Sequence, residues 1–280
     1  MKDNLNYIEI NKSHYNSRHK SLLENFKNNK NALTNTELPM SYSKAVRMTN
    51  EILMQAIDKS SIKALELGCG FGNWSVLMAK HNRNIDVTAT DISQTNIDIT
   101  NLHAERNQVE INSYTCSCDS TGSSDNYFDI IIGHSLIHHL THDVESSTWK
   151  EVHRILKPGG TAIFIEPIIN SKILDYLRLA IPIRDKINPR PSIYEKSYQT
   201  WKNNDPHPER NNSLKHYKTE LSKYNFSKIE LKPTGILSRL DRTTRNYKIR
   251  KFIHDFDHFI KPIIPFSDKW SRQVIIVLKK

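Results

Sequence analysis

The sequence predicts an α/β protein built on a doubly wound, seven-stranded mixed sheet with antiparallel C-terminal edge strands and a helical cap. Three observations carry that expectation. Apolar strand-like runs alternate with helical periodicity from residue 42 to residue 166. The first run, Ile62 to Leu67, enters a turn with glycine at every second position: Gly68, Gly70 and Gly72. Beyond residue 167 the pattern turns irregular, Pro-punctuated and rich in Tyr, Arg and Lys, with only two more strand-like runs.

Residues 1–41 read as an N-terminal segment, loose at its start and helical through Ser21 to Lys30. From Tyr42 to Ile57 the apolar positions Ala45, Val46, Met48, Ile52, Leu53, Ala56 and Ile57 recur at helical spacing. After the first strand and its turn, Trp74, Val76, Leu77 and Met78 mark a helix. A second strand spans Asp86 to Thr90 and ends on Asp91, and a helix follows around Ile97 to Arg106. A third strand from Glu110 to Thr115 leads to Asp119, and Ser120 to Asn126 is a polar loop. Phe128 to Gly133, with its run of isoleucines, is a strand buried on both faces. Asp143 to Leu156 is an amphipathic helix stopped by Pro158-Gly159-Gly160. Thr161 to Ile165 is the fifth strand, closed by Glu166-Pro167. Ser171 to Ala180 is helical, and Phe226 to Pro233 and Gln273 to Leu278 form the antiparallel edge pair. The expected organisation is a core at 42–166 completed by edge strands at 226–235 and 271–280. Cap insertions at 167–225 and 236–270 fold over the strand ends.

Right-handed crossovers bring the C-terminal strand ends to one edge, where ligands bind in such sheets. Glu66, Asp91, Asp119, His134 and Glu166 all fall there. Residues without a Cβ let the turn bend sharply and approach a ligand, and the following helix presents free N–H groups. Glu66, two residues before the first glycine, argues against a phosphate, and no Lys-Ser/Thr follows the glycines. A ligand with a cationic head fits better. With this arrangement the chain resembles the class I S-adenosylmethionine-dependent methyltransferases, whose first motif is acid-x-Gly-x-Gly-x-Gly. The resemblance extends over about residues 45–166 and includes Leu156-Lys157-Pro158-Gly159-Gly160. A dinucleotide fingerprint would place the third glycine one residue later.

The resemblance implies a Rossmann-like sheet and S-adenosylmethionine as cofactor. Glu66, Gly68, Gly70 and Gly72 would hold the methionine end, Asp91 the ribose diol and Asp119 the adenine, with Ile92, Ser120 and His134 also in the cofactor site. Asp91 alone reads equally as a helix N-cap. His134, at the end of the fourth strand, would border the transferable methyl. His134, His138 and His139 are candidate general bases, each with a structural hydrogen-bonding role as its alternative, and Glu166 is a fourth candidate.

The formal charge is +10, and three cysteines are too few for a disulfide scaffold. Cys116-x-Cys118 has no second Cys pair or spaced His pair, so no metal is expected there. A polar N-terminus and the absence of roughly 20 consecutive apolar residues suggest a cytoplasmic location. The Asn/Asp-Pro-Pro-aromatic sequence of nucleobase amino methyltransferases is missing, as are the Pro-Cys of cytosine C5 enzymes and paired glutamates. What remains is methyl transfer to an O or N of a small molecule, including lipid-, sugar- or phosphate-linked ones. The alternatives are a catalytically silent S-adenosylmethionine-binding protein and an RNA methyltransferase. The cap adds Arg239, Arg242, Arg245, Lys248, Arg250 and Lys251 beside Phe252, Phe256, Phe259 and Ile260. That pattern suits a phosphate-bearing substrate, an anionic membrane surface or an ordinary amphipathic helix.

Overall fold

A computed structural model describes residues 2–34, 43–55, 61–81, 84–169, 171–183, 190–203, 212–237, 240, 243–244, 246–265 and 267–280. Seven strands form one sheet: β1 (Ile62–Leu67), β2 (Ile85–Asp91), β3 (Asn112–Thr115), β4 (Phe128–His134), β5 (Leu156–Pro167), β6 (Lys228–Thr234) and β7 (Gln273–Lys279). Their order is β3-β2-β1-β4-β5-β7-β6. The first five are parallel, and β7 runs antiparallel to both β5 and β6. The expected doubly wound mixed sheet with antiparallel C-terminal strands is therefore present. Its order reverses between β1 and β4, the switch point at which such sheets open a crevice.

Side-chain alternation divides the core in two. Leu65, Leu67, Ile131, Ala162, Phe164 and Ile276 face one layer, completed by Trp149 and Val152 of α5 (His142–Ile155) and by Tyr217 and Leu221 of α8 (Leu214–Leu221). Ala64, Ile130, Ile132, Ile163 and Ile275 face the other layer, with Leu53 of α2 (Ser43–Gln55) and Trp74 and Met78 of α3 (Asn73–His81). Because α8 is a layer of the sheet, the span 167–225 is not a cap throughout. Among the described residues beyond 167, the helices that add no side chain to either core layer are α6 (Lys172–Leu179), α7 (Tyr198–Asn203), α9 (Tyr247–Ile260) and α10 (Ser267–Trp270).

Two local expectations need correcting. The chain is helical from its second residue, since α1 (Lys2–Asn28) runs unbroken through the segment read as loose. Arg106, at the end of α4 (Gln94–Arg106), donates to the carbonyls of Phe26, Asn29 and Ala32 and so anchors the C-terminal end of α1. Pro158-Gly159-Gly160 does not separate helix from strand: α5 ends at Ile155 and β5 begins at Leu156. Leu156 pairs with Phe128, and a bulge between Phe128 and Ile130 absorbs the glycines, with Gly159 at φ +75. Ala56, Ile57, Arg239, Arg242 and Arg245 lie outside the described residues. Among the described residues no helix is long and apolar enough to cross a membrane.

Candidate cofactor and active site

A cleft opens over the C-terminal ends of β1, β2 and β4, walled by Gly68, Gly70, Asp91, Ile92, His134 and His139. The glycine turn is stretched between strand and helix by contacts that differ at each glycine. A Cβ on Gly72 would lie 2.6 Å from Thr100 Cγ2, and one on Gly68 would lie 2.8 Å from Leu136 Cδ1. A Cβ on Gly70 would meet nothing within 4 Å, although φ is +54. Gly72 thus permits packing against α4, whereas Gly70 leaves backbone open toward the cleft. This open cradle, adjoining a carboxylate, is what a nucleoside-bearing ligand requires, and the residues fit the cofactor.

Three acids at strand ends behave differently from one another. Glu66 is buried under the turn and does not reach the cleft wall. Its Oε2 accepts from the backbone N–H and the hydroxyl of Ser75, at 2.7 and 2.5 Å. Burial pushes its carboxyl up to about 8. Glu66 therefore ties β1 to the first turn of α3 and positions the glycine loop from beneath. Asp91 does face the cleft. Its Oδ2 accepts from Gly70 N at 2.8 Å, and its Oδ1 accepts from Ser93 N at 2.9 Å and Asn96 Nδ2 at 3.1 Å. Burial raises its pKa, partly offset by these hydrogen bonds. The N-cap of α4 is Ser93, whose Oγ accepts from Asn96 N, so Asp91 is not the cap.

Glu166 corrects the expectation of a fourth base. It is fully buried, and its oxygens accept from Leu136 N (2.8 Å), Ile137 N (2.9 Å), His138 N (3.3 Å) and His138 Nδ1 (2.8 Å). Four donors fill a carboxylate's acceptor positions, so Glu166 holds the turn at Ile137–His139 and has no capacity left for a substrate. His138 is drawn to Glu166 and off the cleft wall. His134 and His139 remain on the wall, the His134 ring 3.2 Å from Ser135 Oγ and the His139 ring 6.3 Å from that of Tyr15. Asp119 accepts from Ser117 Oγ, and neither it nor Ser120 reaches the cleft, where Cys116, Ser117 and Cys118 stand instead. Burial raises the thiols of Cys116 and Cys118 to about 11 and about 12.

The residues that sequence reasoning missed come from α1. Ile8, Asn11, Tyr15 and His19 line the cleft from above. The helix is fastened over it because Asn16 Oδ1 accepts from Ser93 Oγ (2.7 Å) and Thr95 N (3.2 Å). Asn96, while donating to Asp91, accepts from His19 Nδ1 at 2.7 Å. A single side chain thus joins the covering helix to the cleft acid. The signal was present as the spacing Ile8, Asn11, Tyr15, His19. Half of that stripe is polar, so hydrophobic periodicity does not find it.

Residues 64–160 match the methyltransferase domain family. A ubiquinone biosynthesis O-methyltransferase from Coxiella burnetii is 32% identical over 144 residues, covering 50% of this chain and 58% of the relative. One from Ruegeria pomeroyi is 26% identical over 104 residues, 37% of this chain and 40% of the relative. The chain thus spans about half the length of these curated relatives. A SAM-dependent methyltransferase from Archaeoglobus fulgidus shares the fold at TM-score 0.51 and 13% identity, covering 84% of this chain and 94% of that one. The core of this chain, residues 64–160, thus matches a methyltransferase domain and is consistent with the class I S-adenosylmethionine-dependent methyltransferases.

Proposed function

We propose that the protein transfers a methyl group from S-adenosylmethionine to an oxygen of a small hydroxyl-bearing acceptor, and that lipid-linked acceptors are its natural class. The observation that carries this reading is one cleft joining Gly70 and Asp91 to His134 and His139 across the β1/β4 switch point. The relatives' O-methyltransferase names support oxygen as the acceptor atom.

The bound cofactor supplies a methyl group on a positively charged sulfur, and its in-line transfer depends on positioning and water exclusion. Asp91 stands on the cleft wall with its carboxylate oriented by Gly70, Ser93 and Asn96, where it would accept from a ribose hydroxyl. Gly70 lets that hydroxyl-bearing ring lie against backbone. Leu67, Leu136 and Leu140 give the cleft apolar walls that keep water from the acceptor. His134 or His139 takes the proton that an attacking hydroxyl releases, and Glu166 fixes the turn that carries His139.

The lipid reading rests on the cap. Phe252, Phe256 and Phe259 of α9 and Ile173, Tyr176 and Leu177 of α6 are exposed, with Lys248 and Lys251 beside the first group. Apolar faces flanked by lysine suit contact with an anionic lipid surface.

The test is transfer of a deuterated methyl from labelled cofactor to a panel of phenols and their amine counterparts, free and in micelles, read by mass spectrometry. Label on hydroxyls, strongest for micellar acceptors, is expected. Binding of S-adenosylhomocysteine without any transfer would instead support the catalytically silent reading.

A further inference from the structure

At the start of α5, three side chains that do not line the cleft converge, and methyl transfer does not use them. Glu145, on the first turns of α5, is fully buried. Its Oε2 lies 3.0 Å from His216 Nε2 on α8 and 3.8 Å from His142 Nδ1 at the start of α5. The donor atoms of all three lie within 4.8 Å of one another. His216 Nε2 is also 3.1 Å from Oε1, so it faces both carboxylate oxygens at once. Trp149 Nε1 donates to Oε1 at 3.3 Å from one turn further along α5 and orients the carboxylate from behind.

We propose that His142, Glu145 and His216 form a site for one divalent transition metal of the zinc type, joining the start of α5 to the start of α8. Ligand bonds near 2.1 Å place tetrahedral donors about 3.4 Å apart, and the two imidazole-to-carboxylate separations, 3.0 and 3.8 Å, bracket that value. Two imidazoles and one carboxylate favour zinc-type ions over magnesium or calcium, which take oxygen. The carboxylate is already oriented by Trp149, as an outer-shell partner does. His142 is mostly exposed, its side chain 72% accessible, so an ion has a path in and water can complete the coordination. The ion compensates a buried negative charge and clamps α8, whose Tyr217 and Leu221 pack in the core, to the helix whose Val144 lines the cleft. The sequence offered no hint, since 71 residues separate His216 from Glu145.

Untagged full-length protein, stripped with a chelator and dialysed against zinc, tests this by elemental analysis. About one equivalent is expected, with cobalt giving visible absorption of a low-coordinate site. The chain has 13 histidines, so variants decide where the ion sits. His142→Ala removes an exposed ligand without touching the core and is expected to weaken zinc binding at least tenfold. Glu145→Gln is expected to weaken it further. Calorimetry with S-adenosylhomocysteine, unchanged in His142→Ala, separates this result from the fate of the methyltransferase reading. No stoichiometric zinc in the parent protein, or equal retention by parent and His142→Ala, would overturn the proposal.

Discussion

The strand ends and the cap meet their environments in opposite ways. At the strand ends, Glu66, Asp91 and Glu166 are all buried, and each accepts hydrogen bonds from backbone N–H groups. In the cap, apolar surface is left in water: among the described residues, ten of the twelve large exposed apolar side chains lie beyond residue 167, and only Ile10 and Met54 lie before it. The contrast shows where geometry is fixed in advance and where it awaits a partner. The acids are fixed by hydrogen bonds from their own backbone, whereas the cap presents apolar surface whose burial, under the proposed function, would come from a substrate or a lipid phase.

The largest effect that would break this comparison concerns two glycines of the same turn. Gly72→Val must displace Thr100 and hold a β-branched residue at φ +71, and is expected to cost roughly 3 kcal/mol or more of stability. Gly70→Ala meets no protein atom, so a cost of about 1–2 kcal/mol from the left-handed backbone is expected, together with at least tenfold weaker S-adenosylhomocysteine binding. Urea unfolding beside calorimetry separates the two. Equal stability losses with equal binding would mean that the turn is structural throughout.

A smaller effect should follow from Glu66. Its folded carboxyl titrates near 8, above the unfolded value, so the folded chain holds a proton that the unfolded chain has already released. Stability contributed by that proton is present at low pH and is lost as pH rises toward 8. The urea midpoint of the parent protein is expected to fall between pH 5.5 and 8, and Glu66→Gln should flatten the slope. Asp91 is raised in the same direction by burial, so its contribution has the same sign. A parent midpoint rising over this range would refute the assignment.

The smallest change in stability is expected in the cap. Phe252→Ser with Phe259→Ser alters two exposed side chains and should shift stability by about 0.5 kcal/mol or less. Sedimentation with anionic vesicles should drop severalfold. Unchanged vesicle binding would remove α9 from the proposed lipid contact.

Legibility in the sequence followed the same division. Strand periodicity, the glycine turn and the alternation of β and α located the sheet and the acids at its edge, because these features are local. Roles that depend on distant partners were not legible. Nothing near Glu166 in sequence says that it caps a turn 29 residues upstream at Ile137. Asp91 read alone could have capped α4, and only its bonds to Gly70 and Asn96 distinguish it from Ser93. The covering helix α1 was obscure because it meets the cleft through Asn11 and His19, which carry no apolar signal.

The cysteines on the cleft wall have a consequence for reactivity. Cys116 and Cys118 hold their protons up to about 11 and about 12, and burial lifts the Cys69 thiol in the same direction. Alkylating reagents and peroxide attack thiolates, which are scarce at neutral pH on groups held this high. A cleft bordered by sulfur is therefore chemically quiet in the folded state, and rapid labelling of these positions would report opening of the fold.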